Sequence, residues 1–348
     1  MEMMGAKTKS WVVLSIFLLA ANCMQQCVHG NSQASCLYIF GDSYSENGNN
    51  NNRDTNAKAN YSPYGIDYKQ GNNPTGRATN GRIEADFVAE RQGLPDIPPY
   101  ANTDGSDILK GVNYASAAGG IRPETGSQRG DIISLERQIQ NHEDIYNRIV
   151  RILGNSKKAE KHLGKCVYYM KIGTNDYYGN YFLPSSPTRR DFTPDQYAAD
   201  LVRRYSSYMK TLHDNYGARK FLVFTLDNIG CNPFARATYT REGRGCAQQL
   251  NDAALLFDRK LKSEVEQLNE NKLSSKAKFV VVNSETNTGF TDADTPCCPT
   301  VRNETCIPNG IPCSNRDEFR FYDGLHGTEK TNRFTAGIVH QGVQRLLS

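Results

Sequence analysis

Residues 36–52 read CLYIFGDSYSENGNNNN, and the fold turns on how that stretch is taken. The apolar run from Cys36 to Phe40 stops at Gly41-Asp42-Ser43 and gives way to asparagines. A short apolar run bounded by turn residues reads as a buried strand. Its Gly-Asp-Ser ending could be a plain loop. Alternatively, Ser43 stands at the carboxyl end of a parallel strand, where α/β proteins gather ligands and reactive groups.

The remaining pattern favours the second reading. IEADFVAERQGL (83–94), SLERQIQNHEDIYNRIVRILG (134–154), TPDQYAADLVRRYSSYMKTLHDNYG (193–217), NDAALLFDRKLKSEVEQLNE (251–270) and TEKTNRFTAGIVHQGVQRLL (328–347) carry helical spacing. Thr193, Pro194 and Gly217 punctuate the third of these as N-cap, first helical residue and stop. Between the helices lie strand-like runs: GVNYASA (111–117, a strand or its end), VYYMKI (167–172), KFLVFTL (220–226) and KFVVVN (278–283). Strands alternating with helices predict a parallel sheet covered on both faces. No linker interrupts the alternation, so residues 31–348 are expected to form a single domain.

A hydrophobic fraction of 38% and a charged fraction of 22% belong to a globular chain. The net charge of +4 is mild, and Lys and Arg are scattered among acids, which argues against nucleic acid as a partner. Residues 1–30 read as a secretory signal peptide: Lys7 and Lys9, then WVVLSIFLLAA, then CVHG before the expected cut. That apolar run is too short to span a bilayer, and no later run supplies a transmembrane anchor. The mature chain is expected to be secreted, extracellular or delivered through the same pathway to vacuole or cell wall, and to be a monomer.

Beyond the signal, eight cysteines remain: Cys36, Cys166, Cys231, Cys246, Cys297, Cys298, Cys306 and Cys313. An even number in a secreted chain favours disulfides. The last four fall in an irregular, Pro-containing segment; their spacing lacks paired C-x2-C knuckles and encloses no histidine, so no metal site is expected. Asn303 (N-E-T) and Asn60 (N-Y-S) are glycosylation acceptors by rule, with Pro63 weakening the second.

Polar, Gly-containing segments come after successive strands: GDSYSENGN, SAAGGI and GTNDYY, with DGLHGTE (323–329) just before the last helix. His142, His162, His213 and His340 sit in helical, charge-rich surroundings and read as surface residues. His326 differs, lying in a Gly-flanked loop three residues after Asp323. A serine hydroxyl needs a base to become a nucleophile, and an imidazole held by a carboxylate supplies one near neutral pH. Acyl transfer also needs oxyanion donors. The Ser43 N–H, a backbone N–H at Gly119 or Gly120, and the Asn175 amide are the candidates.

These blocks resemble the plant-type GDSL esterase/lipases of the SGNH hydrolase superfamily. FGDSYSENGNNN, SPYGIDY, LKGVNYASAAGGI, KIGTNDYYGNYFLP, YGARKFLVFTLDNIGCNP and CSNRDEFRFYDGLHGTEKTN are similar to that family's segments, in its order and over essentially the whole mature chain. The resemblance implies a flavodoxin-like three-layer α/β/α sandwich with a central parallel sheet. It implies Ser43 as nucleophile, His326 as base, Asp323 as its partner, and an oxyanion hole from Ser43, Asn175 and a glycine, with Gly119 preferred. The implied activity is hydrolysis of a small-molecule, lipid or polymer ester through an acyl-serine, with no cofactor. Delivery of the acyl group to an alcohol, or a non-catalytic binding role on the same fold, are the alternatives.

Tyr44 stands where leucine is usual, Glu46 where aspartate is common, and Gly327 where the family favours proline, a change expected to loosen the turn that holds the base. Cys36 and Cys166 each precede a strand leading into a catalytic block and are expected to pair. Cys231 and Cys246, flanking one loop, are the next expected pair.

Overall fold

The computed structural model describes residues 33–69, 73–103, 105, 107–270, 277–284 and 289–348. The signal peptide expected at 1–30 and its cut site lie outside the described residues. Four short apolar runs pair in parallel, in the order β1 (Leu37–Gly41), β2 (Val167–Lys171), β3 (Lys220–Phe224) and β4 (Lys278–Val282). The strand expected at 111–117 is irregular. It runs beside β1, with the Leu37 and Ile39 N–H groups donating to Lys110 and Val112, and Tyr114 and Ser116 donating back to Ile39 and Gly41. Only Asn113 forms a bridge to β1, because its side chain turns onto the Ala115 N–H and reaches the Ser45 carbonyl. Counting this segment as an edge strand, the order is 2-1-3-4-5, the flavodoxin-like arrangement.

Successive side chains of a strand point to opposite faces, and the core divides accordingly. Tyr38, Phe40, Tyr168, Met170, Phe221 and Val223 face one layer of helices. That layer is built from α2 (Leu135–Leu153), α3 (Ser156–Leu163), α4 (Pro194–Tyr216) and α6 (Gln248–Glu270). Leu37, Ile39, Val167, Tyr169, Leu222 and Phe224 face α1 (Glu84–Arg91) and α7 (Glu329–Leu347). The result is the α/β/α sandwich. A further short helix, α5 (Pro233–Tyr239), starts at an Asn232 cap.

Thr193 and Gln196 form the capping box of α4, with Pro194 at its first position and Gly217 closing it at φ +80°. Ile152, an apolar residue of α2, is exposed. His142 departs from expectation: it is fully buried on α2. Its Nδ1 meets the Tyr114 hydroxyl at 2.9 Å, and aromatic rings including Tyr38, Phe40 and Tyr216 pack edge-on around it. Burial holds its pKa down at about 3, so it is a neutral core residue. The charges flanking it in sequence lie on the other side of the helix.

Disulfides join Cys36 to Cys166, Cys231 to Cys246, Cys297 to Cys313 and Cys298 to Cys306. The first ties the entrances of β1 and β2. The last two staple a small module in which β5 (Asp292–Pro296) pairs with β8 (Phe319–Phe321), and β6 (Thr300–Val301) forms a hairpin with β7 (Thr305–Cys306). Among the described residues no helix is long and apolar enough to cross a membrane. Asn60 and Asn303 are both exposed.

Candidate active site

β1 ends at Gly41 because nothing larger fits: an added Cβ would lie 2.9 Å from the Lys171 carbonyl and 3.0 Å from the Ser45 Cβ. The buried Gln138 of α2 clamps this residue on both sides. It accepts from the Gly41 N–H at 2.9 Å and donates to the Gly41 carbonyl at 2.8 Å. The chain then turns over Asp42, whose carbonyl accepts from the Ser45 and Glu46 N–H groups, and Ser43 is left half-buried at the tip. Asp42 itself is buried, which pushes its pKa up to about 7 despite the Tyr44 N–H and Lys171.

The asparagines beyond this turn are a scaffold. Asn49 donates to the Asn113 and Ala115 carbonyls, at 2.9 and 2.8 Å. Asn50 donates to the Ala57 and Ala117 carbonyls and accepts from the Ser116 hydroxyl at 2.7 Å. Asn47 donates to Ile97 and Asn51 to Thr75. An amide side chain offers donors and an acceptor together, so it can satisfy buried backbone that no ladder reaches. These contacts fasten the Ser43 turn to the irregular segment beside β1.

From the other end of the chain, the loop between β8 and α7 brings His326 to Ser43. The Ser43 hydroxyl meets His326 Nε2 at 2.8 Å, and His326 Nδ1 lies 2.9 Å from both carboxylate oxygens of Asp323. Asp323 is completely buried and also accepts the Leu325 and His326 N–H groups at 2.8 and 2.7 Å. Its second oxygen accepts the Tyr64 hydroxyl at 2.6 Å, and that hydroxyl accepts the Cys306 N–H at 3.0 Å. Burial and the Asp323 charge hold the Tyr64 pKa well up, so the phenol stays a donor. Burial opposes a charge on His326, but the Asp323 carboxylate outweighs it and the pKa is raised above the ordinary imidazole value.

The turn at Gly327, expected to be loose, is bridged on both sides. The Tyr322 N–H donates to the His326 carbonyl, the Thr328 N–H to the Arg320 carbonyl, and the Thr79 hydroxyl to the Gly327 carbonyl. Tyr44, the unusual neighbour of Ser43, donates its hydroxyl to the Leu325 carbonyl at 3.1 Å and sets its ring edge-on to His326 at 5.4 Å.

Asn175 lies in one helical turn after β2 (Thr174–Asp176) and donates one amide hydrogen to the Gly119 carbonyl at 3.0 Å, leaving the second toward the cavity. Gly119 is placed differently from expectation. Its N–H is taken by the Ser116 carbonyl, and it is buried where a Cβ would strike the Ile133 carbonyl at 2.7 Å. The half-buried residues of this segment that line the cavity are Ala117 and Ala118, the latter at φ +63°. Among the described residues their N–H groups have no acceptor, and neither has that of Ser43. Asp176 organises the wall beyond, accepting the Ile121 and Arg122 N–H groups and the Thr125 hydroxyl; burial raises its pKa to about 6.

Ser43 and His326 open into a cavity of about 460 Å³, wide enough for a small to medium ester. The roles of Gln138, Tyr64, Asp176 and the asparagine scaffold escaped the sequence reading. Tyr64, Asp176 and the asparagines do fall inside the motif blocks, whereas nothing in the helical pattern of α2 sets Gln138 apart.

The GDSL-like lipase/acylhydrolase family matches residues 37–339. A GDSL esterase/lipase of Arabidopsis thaliana is 40% identical, over 92% of this chain and 91% of its own length. A second from the same plant is also 40% identical, over 94% and 93%. Among solved structures, a carbohydrate acetylesterase from Sinorhizobium meliloti is 14% identical, with 89% of this chain and 99% of that one covered and a TM-score of 0.37.

Proposed function

We propose, from the premise that this chain belongs to the GDSL-like lipase/acylhydrolase family of carboxylic ester hydrolases, that Ser43 attacks the ester carbonyl and carries the acyl group. The observation behind this reading is the unbroken relay Ser43–His326–Asp323, at 2.8 and 2.9 Å, opening into the cavity. His326 Nε2 takes the Ser43 proton as Oγ bonds to the carbonyl carbon. The carbonyl pair moves onto oxygen, where the Ser43 N–H, the Asn175 amide and an N–H of Ala117 or Ala118 receive it. On collapse the ester C–O bond breaks and His326 returns the proton to the departing alcohol, leaving acyl-Ser43. Water then enters by the reverse route, giving up its proton to His326, and the acid is released as Ser43 recovers that proton. Asp323 holds the imidazole with Nδ1–H inward and stabilises the imidazolium. These steps draw only on groups of the protein, substrate and water.

The disulfides suit an oxidising compartment, which supports a secreted, single-domain mature protein with glycans at Asn60 and Asn303. A monomer is the simplest working state, since every group in the relay comes from one chain. The experiment for the catalytic reading is labelling with a fluorophosphonate probe and location of the adduct by peptide mass. Stoichiometric labelling of Ser43, lost in His326→Ala, is expected. A folded protein that resists the probe would return the chain to the non-catalytic reading.

A further inference from the structure

The mouth of the catalytic cavity is electrically lopsided. Its lining carries Lys58, Arg129 and Arg302 against one carboxylate, Glu304, apart from the His326 relay. Arg129 is committed to Glu304, a partly buried pair. That leaves Lys58 and Arg302, which among the described residues have neither ion pair nor hydrogen bond from the side chain.

Arg302 is exposed, whereas Lys58 is not an ordinary solvated surface cation. Lys58 is half-buried, and a cation drawn partly out of water without a carboxylate is disfavoured unless something else supplies the charge. Arg302 occupies the tip of the β6–β7 hairpin. There Glu304 N–H donates to the Val301 carbonyl, and Arg302 and Asn303 take φ values of +50° and +60°. Such a two-residue turn favours Asn, Asp or Gly at its first position. An arginine held in that conformation beside the active site is backbone strain at a functional position. The two cations come from separate segments, one after the asparagine scaffold and one in the disulfide module. The same lining carries an apolar and aromatic set: Tyr178, Leu183, Pro184, Phe234 and Tyr239.

We propose that the ester accepted here carries an anionic group, received between Lys58 and Arg302, while its apolar part lies on the aromatic wall. This rests on the reading of Ser43 as the nucleophile. Clefts lined by one sign of charge concentrate ligands of the opposite sign and raise their capture about 10-fold or more. The charge belongs to the acyl part or to the alcohol part, and two matched probe pairs separate these sources. For the acyl side the pair is 4-nitrophenyl hydrogen succinate against 4-nitrophenyl butyrate. For the alcohol side it is 4-(butanoyloxy)benzoate against phenyl butyrate.

In at least one pair the anionic ester should have a kcat/KM about 10-fold above its neutral partner at low ionic strength, the advantage shrinking with added salt. Lys58→Ala and Arg302→Ala should each lower that ratio, and Lys58→Glu should invert it. Because both esters of a pair report on the same active molecules, the ratio is independent of how much of a variant folds. Ratios near one in both pairs, or a preference that survives both alanine variants, would overturn the proposal. Failure of Ser43 to take the fluorophosphonate, with all four esters inert, is a different result: it removes the catalytic reading, and this inference with it.

Discussion

The two halves of the relay are held by different physics. On the Ser43 side, the serine comes after β1, flanked by β2 and the irregular 111–117 segment, and buried amides from Gln138, Asn49 and Asn50 fix its turn. On the base side, His326 and Asp323 belong to a loop with little regular structure and a small apolar cluster of its own, centred on Tyr64, Tyr322 and the paired cysteines. There the fixing is done by cross-links, backbone bridges and the Tyr64 hydroxyl. Placement by a sheet is shared with the folding of the whole domain. Placement by a stapled loop can be damaged while the domain survives.

The most severe way to break the comparison is to remove a member of the relay itself. Ser43→Ala or His326→Ala should lower kcat by about 10⁴-fold or more with a normal melting curve. Asp323→Asn should cost about 10⁴-fold in steady-state kcat. It should also move the acid limb of kcat/KM. In the native protein the base is the neutral imidazole and its pKa is raised, so activity should fall as pH drops through a midpoint above 6.5. Without the Asp323 charge that midpoint should shift downward. A limb that stays put in the variant would mean another group titrates.

Next comes the donor that spans the cleft: Asn175→Ala should reduce kcat by about 10²–10³-fold with little change in KM. The disulfides then sharpen the contrast. Replacing Cys298 and Cys306 by serine should reduce kcat by up to about 10²-fold, because Cys306 N–H orients Tyr64 and Tyr64 orients Asp323. Replacing Cys36 and Cys166 by serine should instead cost about 2–5 kcal/mol of stability, read by denaturant titration, while the folded fraction keeps its kcat/KM. Equal effects of the two double variants on kcat would dissolve the distinction.

The smallest expected effect on catalysis belongs to Glu46. It is buried, one of its oxygens has no partner, and burial lifts its pKa to about 7 despite the N–H donors around it. A carboxyl with a raised folded pKa favours the native state fully below its unfolded pKa and loses that contribution as pH climbs. Glu46→Gln can keep both N–H contacts of the carboxylate and does not titrate. Its stability relative to the native protein should therefore rise between about pH 4.3 and about pH 7, then level off. Melting curves across that range check it.

Local pattern is what the sequence made legible. Period and capping carried the helices, and Gly-Asp-Ser at the end of CLYIF, with Asp-x-x-His before the last helix, marked the relay. The concealed features depend on approach in three dimensions. The asparagines look like a polar loop until the segment at 113–117 arrives to accept their bonds. His142 reads as exposed because its neighbours in sequence are charged, whereas its neighbours in space are rings. Gly119 looks like the oxyanion donor because glycine suits a tight turn, but here the glycine is demanded by the Ile133 carbonyl pressing on it.

The Ser43–His326 contact spans 283 positions of sequence. A chain made from its amino terminus carries Ser43 from the first stages of synthesis and receives His326 only near the last. Until the closing segment is translated and docked, Ser43 is an ordinary alcohol with no imidazole beside it. Completion of the polypeptide is thus the event that brings His326 to Ser43.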